Sequence, residues 1–145
     1  MIVIQTSGYA GGGFDPYLSL FDGSGLQFLL DSNDDGGCGN VGADPNTHAC
    51  LDSFLSILLA PGTYLVALTE SGNAPLGPAL SDGFLMDGAG DFTGGPFLDA
   101  QGNQRNGQWA LQIDGADAAS TPEPGTAALM FAGLVVSGRL FRKIR

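Results

Sequence analysis

The sequence predicts an all-β protein, an antiparallel β-sandwich followed by a linker and a C-terminal hydrophobic helix. Three observations predict the sandwich. Glycine supplies 24 of 145 residues while only 14% of residues are charged, a composition that suits short strands and many turns. Apolar residues fall in short blocks bounded by Gly, Pro, Asn and Asp. The clearest block, Thr63 to Thr69, alternates strictly: Tyr64, Val66 and Leu68 share one face, Thr63, Leu65, Ala67 and Thr69 the other. Five or six such strands without an amphipathic helix form a core only by packing sheet on sheet.

The elements follow in order. Ile2 to Thr6 is rich in β-branched residues and reads as a strand. Gly8 to Gly13 is a loop. Tyr17 to Phe21 and Leu26 to Leu30 are strands around the turn signal Asp22-Gly23-Ser24-Gly25, which makes a hairpin. Asp31 to Asp52 is polar and Gly-rich, a loop carrying both cysteines. Phe54 to Leu59 is a strand, and Ala60-Pro61-Gly62 turns it into Thr63 to Thr69. Ser71 to Gly107 is a long decorated connection with one edge strand. Gln108 to Asp114 is the last strand, with Trp109, Leu111 and Ile113 inward. The domain therefore covers residues 1–115 and a small-residue linker 116–121.

Charge divides the chain. Residues 1–121 carry 14 acidic side chains and a single basic one, Arg105; the last 24 residues carry Glu123 against Arg139, Arg142, Lys143 and Arg145. An acidic body repels nucleic acid and anionic lipid, so no nucleic-acid partner is expected. It attracts divalent cations, or serves solubility alone.

The tail has three parts in order. Pro122-Glu123-Pro124 is a stiff hinge that resists helix continuation. Thr126 to Gly138 is 13 residues without a charge, short of the ~20 that span a bilayer as a helix. Snorkelling by Arg139 extends the apolar run to Phe141. The cations at Arg139, Arg142, Lys143 and Arg145 should stay cytoplasmic and leave the acidic body outside. The alternative, a terminal helix packed on the domain, explains neither the paired prolines nor the clustered cations. The tail resembles a PEP-CTERM sorting signal over residues 122–145. That resemblance implies a Gram-negative bacterium, a transient inner-membrane anchor, and cleavage by an exosortase that releases the protein to the cell surface or extracellular matrix. The chain opens directly on a strand with no secretory signal before it, so Met1 is expected to be an internal start of a longer exported protein.

Cys38 and Cys50 lie twelve positions apart with His48 between them. Zinc needs four good ligands and these residues supply three. In an exported protein a disulfide is the favoured reading, with two free thiols as the alternative.

Asp31-Ser32-Asn33-Asp34-Asp35-Gly36-Gly37 packs three carboxylates and an amide into a turn. Asp31, Asn33, Asp35 and Gly36 imitate the first half of an EF-hand loop, but the twelfth position is Gly42 rather than Glu and no helices flank it. A hard-cation site remains, with calcium the expected ion and Asp15 and Asp22 as further ligands if the hairpin brings them near. The alternative is a solvated acidic turn.

A second resemblance rests on Phe14 to Gly23, Asn33 to Gly37 and Leu59 to Tyr64. These three motifs are similar to bacterial pre-peptidase C-terminal-like domains, and more closely to the PEP-CTERM group called the DVUA0089 family. The resemblance implies a jelly-roll-like sandwich, calcium at the Asp-rich loop, no catalytic role, and a first strand that begins upstream of this chain.

No nucleophile elbow, phosphate loop or dinucleotide fingerprint occurs, so catalysis is not expected. The expected role is a structural or adhesive surface module. The alternative is a module that binds carbohydrate such as exopolysaccharide through Tyr9, Phe14, Tyr17 or Trp109, although Trp109 is read first as a core residue.

Overall fold

The computed structural model describes residues 1–88, 97–98 and 102–115. Within them the chain forms β1 (Ile2–Thr6), β2 (Pro16–Asp22), β3 (Leu29–Asn33), β4 (Phe54–Ile57), β5 (Tyr64–Glu70), β6 (Phe97–Leu98), β7 (Gln104–Arg105) and β8 (Leu111–Asp114). Two 3-10 turns, Tyr9–Gly11 and Leu80–Asp82, complete the regular structure. The described residues include no α-helix.

Two three-stranded antiparallel sheets, β4-β1-β8 and β3-β2-β5, make a sandwich-like fold, and β6 and β7 pair separately. The chain changes sheet between β1 and β2, between β3 and β4, and again between β4 and β5. One core joins the sheets: Ile4 and Leu55 from the first meet Leu18 and Leu20 from the second. Ile2, Ile57 and Leu111 pack against it from one side, Tyr64, Val66 and Leu68 from the other. The alternation read in Thr63 to Thr69 is thus the pattern that turns Tyr64, Val66 and Leu68 inward. Each fully buried Leu or Ile contributes about 1.5–3 kcal/mol by leaving water.

The central strand β2 is covered on both faces. Leu18 and Leu20 face the core, while Phe21, also fully buried, meets Phe84 edge-on at 6.4 Å between ring centroids. Phe84 comes from the stretch read as a decorated connection. That stretch folds back on the hairpin, with Leu29 N–H donating to Pro78 O and Leu80 N–H to Gln27 O.

Several strand positions differ from the sequence reading: β4 ends at Ile57 rather than Leu59, and the 71–107 connection carries two short paired strands rather than one edge strand. The second hairpin strand begins at Leu29 and runs to Asn33, rather than from Leu26 to Leu30. The Asp22 carboxylate accepts the Phe28 N–H at 3.0 Å, and Asp22 N–H donates to Phe28 O at 2.9 Å, so the turn extends to Phe28 before pairing starts. Asp31 to Asn33 are consequently strand, not loop. The last strand begins at Leu111, not Gln108. Leu111, opposite Thr6, packs against the core, while Ile113, opposite Ile4 on this edge strand, is 45% exposed. Trp109 does not join the core: it is 55% exposed, because residues 108–110 lie beyond the strand against the 7–13 loop.

The linker 116–121 and the whole tail, including Pro122, Glu123, Pro124, Arg139, Arg142, Lys143 and Arg145, lie outside the described residues.

Candidate metal centre

The antiparallel pairing of β2 with β3 brings the start of one beside the end of the other. Asp15 directly precedes β2, and Asp34 and Asp35 directly follow β3. Their carboxylates converge, each offering an oxygen within 4.8 Å of the others. Asp15 is 8% exposed. β5 closes the same end of the sheet, where Ser71 N–H donates to Asp15 O at 2.7 Å and Ser71 Oγ donates to Asp34 Oδ2 at 3.3 Å. The other oxygen, Asp34 Oδ1, is buried and accepts no hydrogen bond. Burial raises the Asp35 pKa above its ordinary value, and the neighbouring Asp34 charge raises it further. A buried carboxylate oxygen without a donor is costly when ionised. A hard cation would offset both the lost hydration and the mutual repulsion, and all three groups are the oxygen donors such an ion takes.

The six residues expected at a cation site separate in space. Asp15, Asp34 and Asp35 form the cluster; Asp22 and Asp31 are not part of it. Asp22 closes the hairpin turn, and Asp31 Oδ1 accepts the Ser32 N–H at 2.9 Å. Asn33 ties the two sheets together: its Oδ1 accepts the Phe54 N–H at 2.8 Å, and its side-chain amide donates to Asp35 O at 3.3 Å. It therefore braces the backbone of the cluster.

Cys38 and Cys50 form the disulfide, with Cα atoms 5.1 Å apart. The loop it closes contains one buried carboxylate that the sequence reading missed, Asp44, and a second, Asp52, lies just beyond it. Asp44 Oδ1 accepts the N–H groups of Asn46 and Thr47 at 2.8 and 2.9 Å, forming an Asx-type turn. Asp44 Oδ2 accepts from Arg105 Nη1 at 2.9 Å, and the same guanidinium lies 3.6 Å over the Tyr9 ring and donates to Tyr9 O at 3.1 Å. The Thr47 N–H does most to hold the Asp44 pKa at about 2, against the opposing effect of burial, with Asn46 and Arg105 adding to it. A lone cation in an acidic body was the available signal that Arg105 needs a buried partner. Just beyond the loop, Asp52 is 2% exposed and receives Thr6 Oγ1 and Gly8 N at 2.9 Å each, with Tyr9 N at 3.2 Å.

Of the four aromatics considered as a stacking platform, Tyr9 and Phe14 are buried. Tyr17 is half-buried and its hydroxyl donates to Ser32 Oγ at 3.1 Å. Trp109 alone is exposed. No helix among the described residues is long and apolar enough to cross a membrane. No protein-family model, curated protein or solved structure matches the chain.

Proposed function

We propose that the chain is a non-catalytic, calcium-stabilised module of an exported protein, sorted by its C-terminal tail to the cell surface or extracellular matrix. The observation that carries the calcium reading is the convergence of Asp15, Asp34 and Asp35 around a buried carboxylate oxygen with no donor. Asp15, Asp34 and Asp35 would hold the ion, and Asn33 would position them. The Cys38–Cys50 disulfide supports an oxidising compartment, because such bonds persist outside the reducing cytosol. The order Pro122-Glu123-Pro124, apolar run, and Arg139, Arg142, Lys143 and Arg145 supports sorting of the PEP-CTERM type. On that reading the partners are the inner membrane and then an exosortase. The resemblance to pre-peptidase C-terminal-like domains supports a structural role.

Calcium binds only the folded cluster, so millimolar Ca²⁺ is expected to raise the melting temperature by roughly 5 °C or more, given an affinity of the extracellular kind. The double variant Asp34→Ala, Asp35→Ala should lose that shift while keeping the same fold. The effect should also fade on acidification. Asp35 binds its proton above the ordinary carboxylate value of 3.8, so protons displace calcium while ordinary surface carboxylates are still ionised. Equal shifts in the native protein and the double variant would reject the site.

Export has its own test. With a signal peptide supplied, the full chain should fractionate with the inner membrane until it is processed, and a chain ending at Thr121 should be released in soluble form. A truncated chain that stays membrane-bound would reject the tail assignment.

A further inference from the structure

Away from the acidic cluster, two open clefts adjoin at Gly11, which lines both. One, of about 470 Å³, is walled by the turn after Asp44 and by β7; the other, of about 430 Å³, by Ser7, Gly8 and the segment ending at Ala110. Their chemistry departs from that of the surrounding acidic body. Among the described residues, Asp44 and Arg105 are the only charged residues lining either cleft, and they are paired with each other. The remaining polar walls are mostly side-chain amides: Asn46, Asn103 and Gln104 in the first cleft, Gln108 in the second. At the far end stands Trp109, more than half exposed.

The Trp109 backbone is held closely. Ser7 N–H donates to Ala110 O at 3.1 Å, and Asn106 N–H donates to Gly12 O at 3.0 Å. A Cβ placed on Gly8 would come within 2.9 Å of Trp109 Cα, and one on Gly13 within 2.2 Å of Gln108 O. Glycines at both positions therefore let the Gln108–Trp109 backbone lie directly on the 7–13 loop. An indole carried on an anchored backbone, beside amides and away from unpaired charge, meets an apolar ring face at little ordering cost.

We infer that this groove is a binding site for a neutral polysaccharide chain, with one sugar stacked on Trp109 and the hydroxyls of its neighbours bonded by the amides. Amides suit this ligand because each offers both donors and an acceptor, as vicinal hydroxyls do. Arg105, the one basic side chain among the described residues, is paired with Asp44 rather than set to recruit an acidic polymer, and the net charge of −10 repels one. The groove shares no residue with the Asp15–Asp34–Asp35 cluster, so substitutions can test the two sites separately.

Trp109 is the only tryptophan in the chain, so its fluorescence reports this groove alone. The experiment takes the full chain through affinity electrophoresis in gels containing a β-glucan, an α-glucan, a galactomannan or, as the acidic control, a polyuronate. The protein should be retarded in at least one neutral gel and not by the polyuronate. Oligosaccharides of the retarding polymer should shift the tryptophan emission saturably. Trp109→Ala should weaken retardation roughly tenfold or more while keeping its melting temperature, because the side chain is exposed. Trp109→Phe should restore part of it. Gly8→Ala, which pushes on the Trp109 backbone, should weaken binding with Trp109 still present. Absence of retardation in all three neutral gels, retardation by the polyuronate alone, or undiminished retardation of Trp109→Ala would overturn the assignment.

Discussion

Asp52→Ala is expected to lower the free energy of unfolding by about 3–5 kcal/mol, the largest effect of any single polar substitution in the described residues. Its carboxylate is buried and takes three donors at once: the Thr6 hydroxyl and the N–H groups of Gly8 and Tyr9. Removing it leaves all three without an acceptor in a place water does not reach, at about 1–3 kcal/mol each before relaxation. The effect spreads because Thr6 Oγ1 in turn accepts the Ser53 N–H at 2.8 Å, and Ser53 Oγ lies 2.6 Å from Pro16 O and 2.7 Å from Asp34 O. Asp52 thus connects the end of β1 to the start of β4 and, through Ser53, to the backbone of the acidic cluster. Asp52→Asn keeps an acceptor for Thr6 and Gly8 but turns a donor toward Tyr9, and should cost about 1–2 kcal/mol. Urea denaturation of the three proteins measures this, with the slope unchanged and the midpoint shifted. If Asp52→Ala unfolds within about 1 kcal/mol of the native protein, the carboxylate is not the hub described.

Reducing the Cys38–Cys50 bond should cost about 3 kcal/mol, the second large effect. The bond joins residues twelve apart, and opening a loop of that size returns conformational freedom mainly to the unfolded chain. The folded loop has other closures. Gly36 N–H donates to Asp52 O at 2.8 Å, and the Asp44 turn is held by Arg105 from β7. The reduced protein should therefore keep its fold and melt lower, by about 10 °C. The double variant Cys38→Ser, Cys50→Ser should match the reduced protein and show no response to reductant. Reductant that leaves the native melting temperature unchanged would show that the bond adds nothing to stability.

The strand pattern and the cysteine pair were legible because both are local. In a strand successive side chains point to opposite faces, so Tyr64, Val66 and Leu68 declare a buried face before any partner is known. Ile2 to Thr6 and Tyr17 to Phe21 declare themselves by composition in the same way. Two cysteines twelve residues apart across a Gly-rich turn can meet whatever the rest of the chain does.

The Asp-rich segment was legible as an acidic patch but not as a ligand set. Which carboxylates meet depends on the register of β2 against β3, a long-range property. That register brings Asp15 to Asp34 and Asp35 and assigns Asp31 and Asp22 to backbone hydrogen bonds instead. Asp44 and Asp52 looked like any other surface acids, because their donors come from residues about forty to sixty positions away or from a turn whose closure depends on the fold.

Trp109 shows the same division from the opposite side. Alternation puts it in phase with Leu111 and Ile113, and a Trp in phase with core residues reads as core. The strand ladder starts only at Leu111, and the loop over residues 7–13 takes up the backbone before it, leaving the indole in solvent. Local sequence thus decided which segments could pair and which side of each is apolar. The pairing between distant segments decided where the apolar layer ends, which charges were buried with partners, and which aromatic stayed available to a ligand. Burial depends on what lies opposite a residue, and alternation carries no information about that.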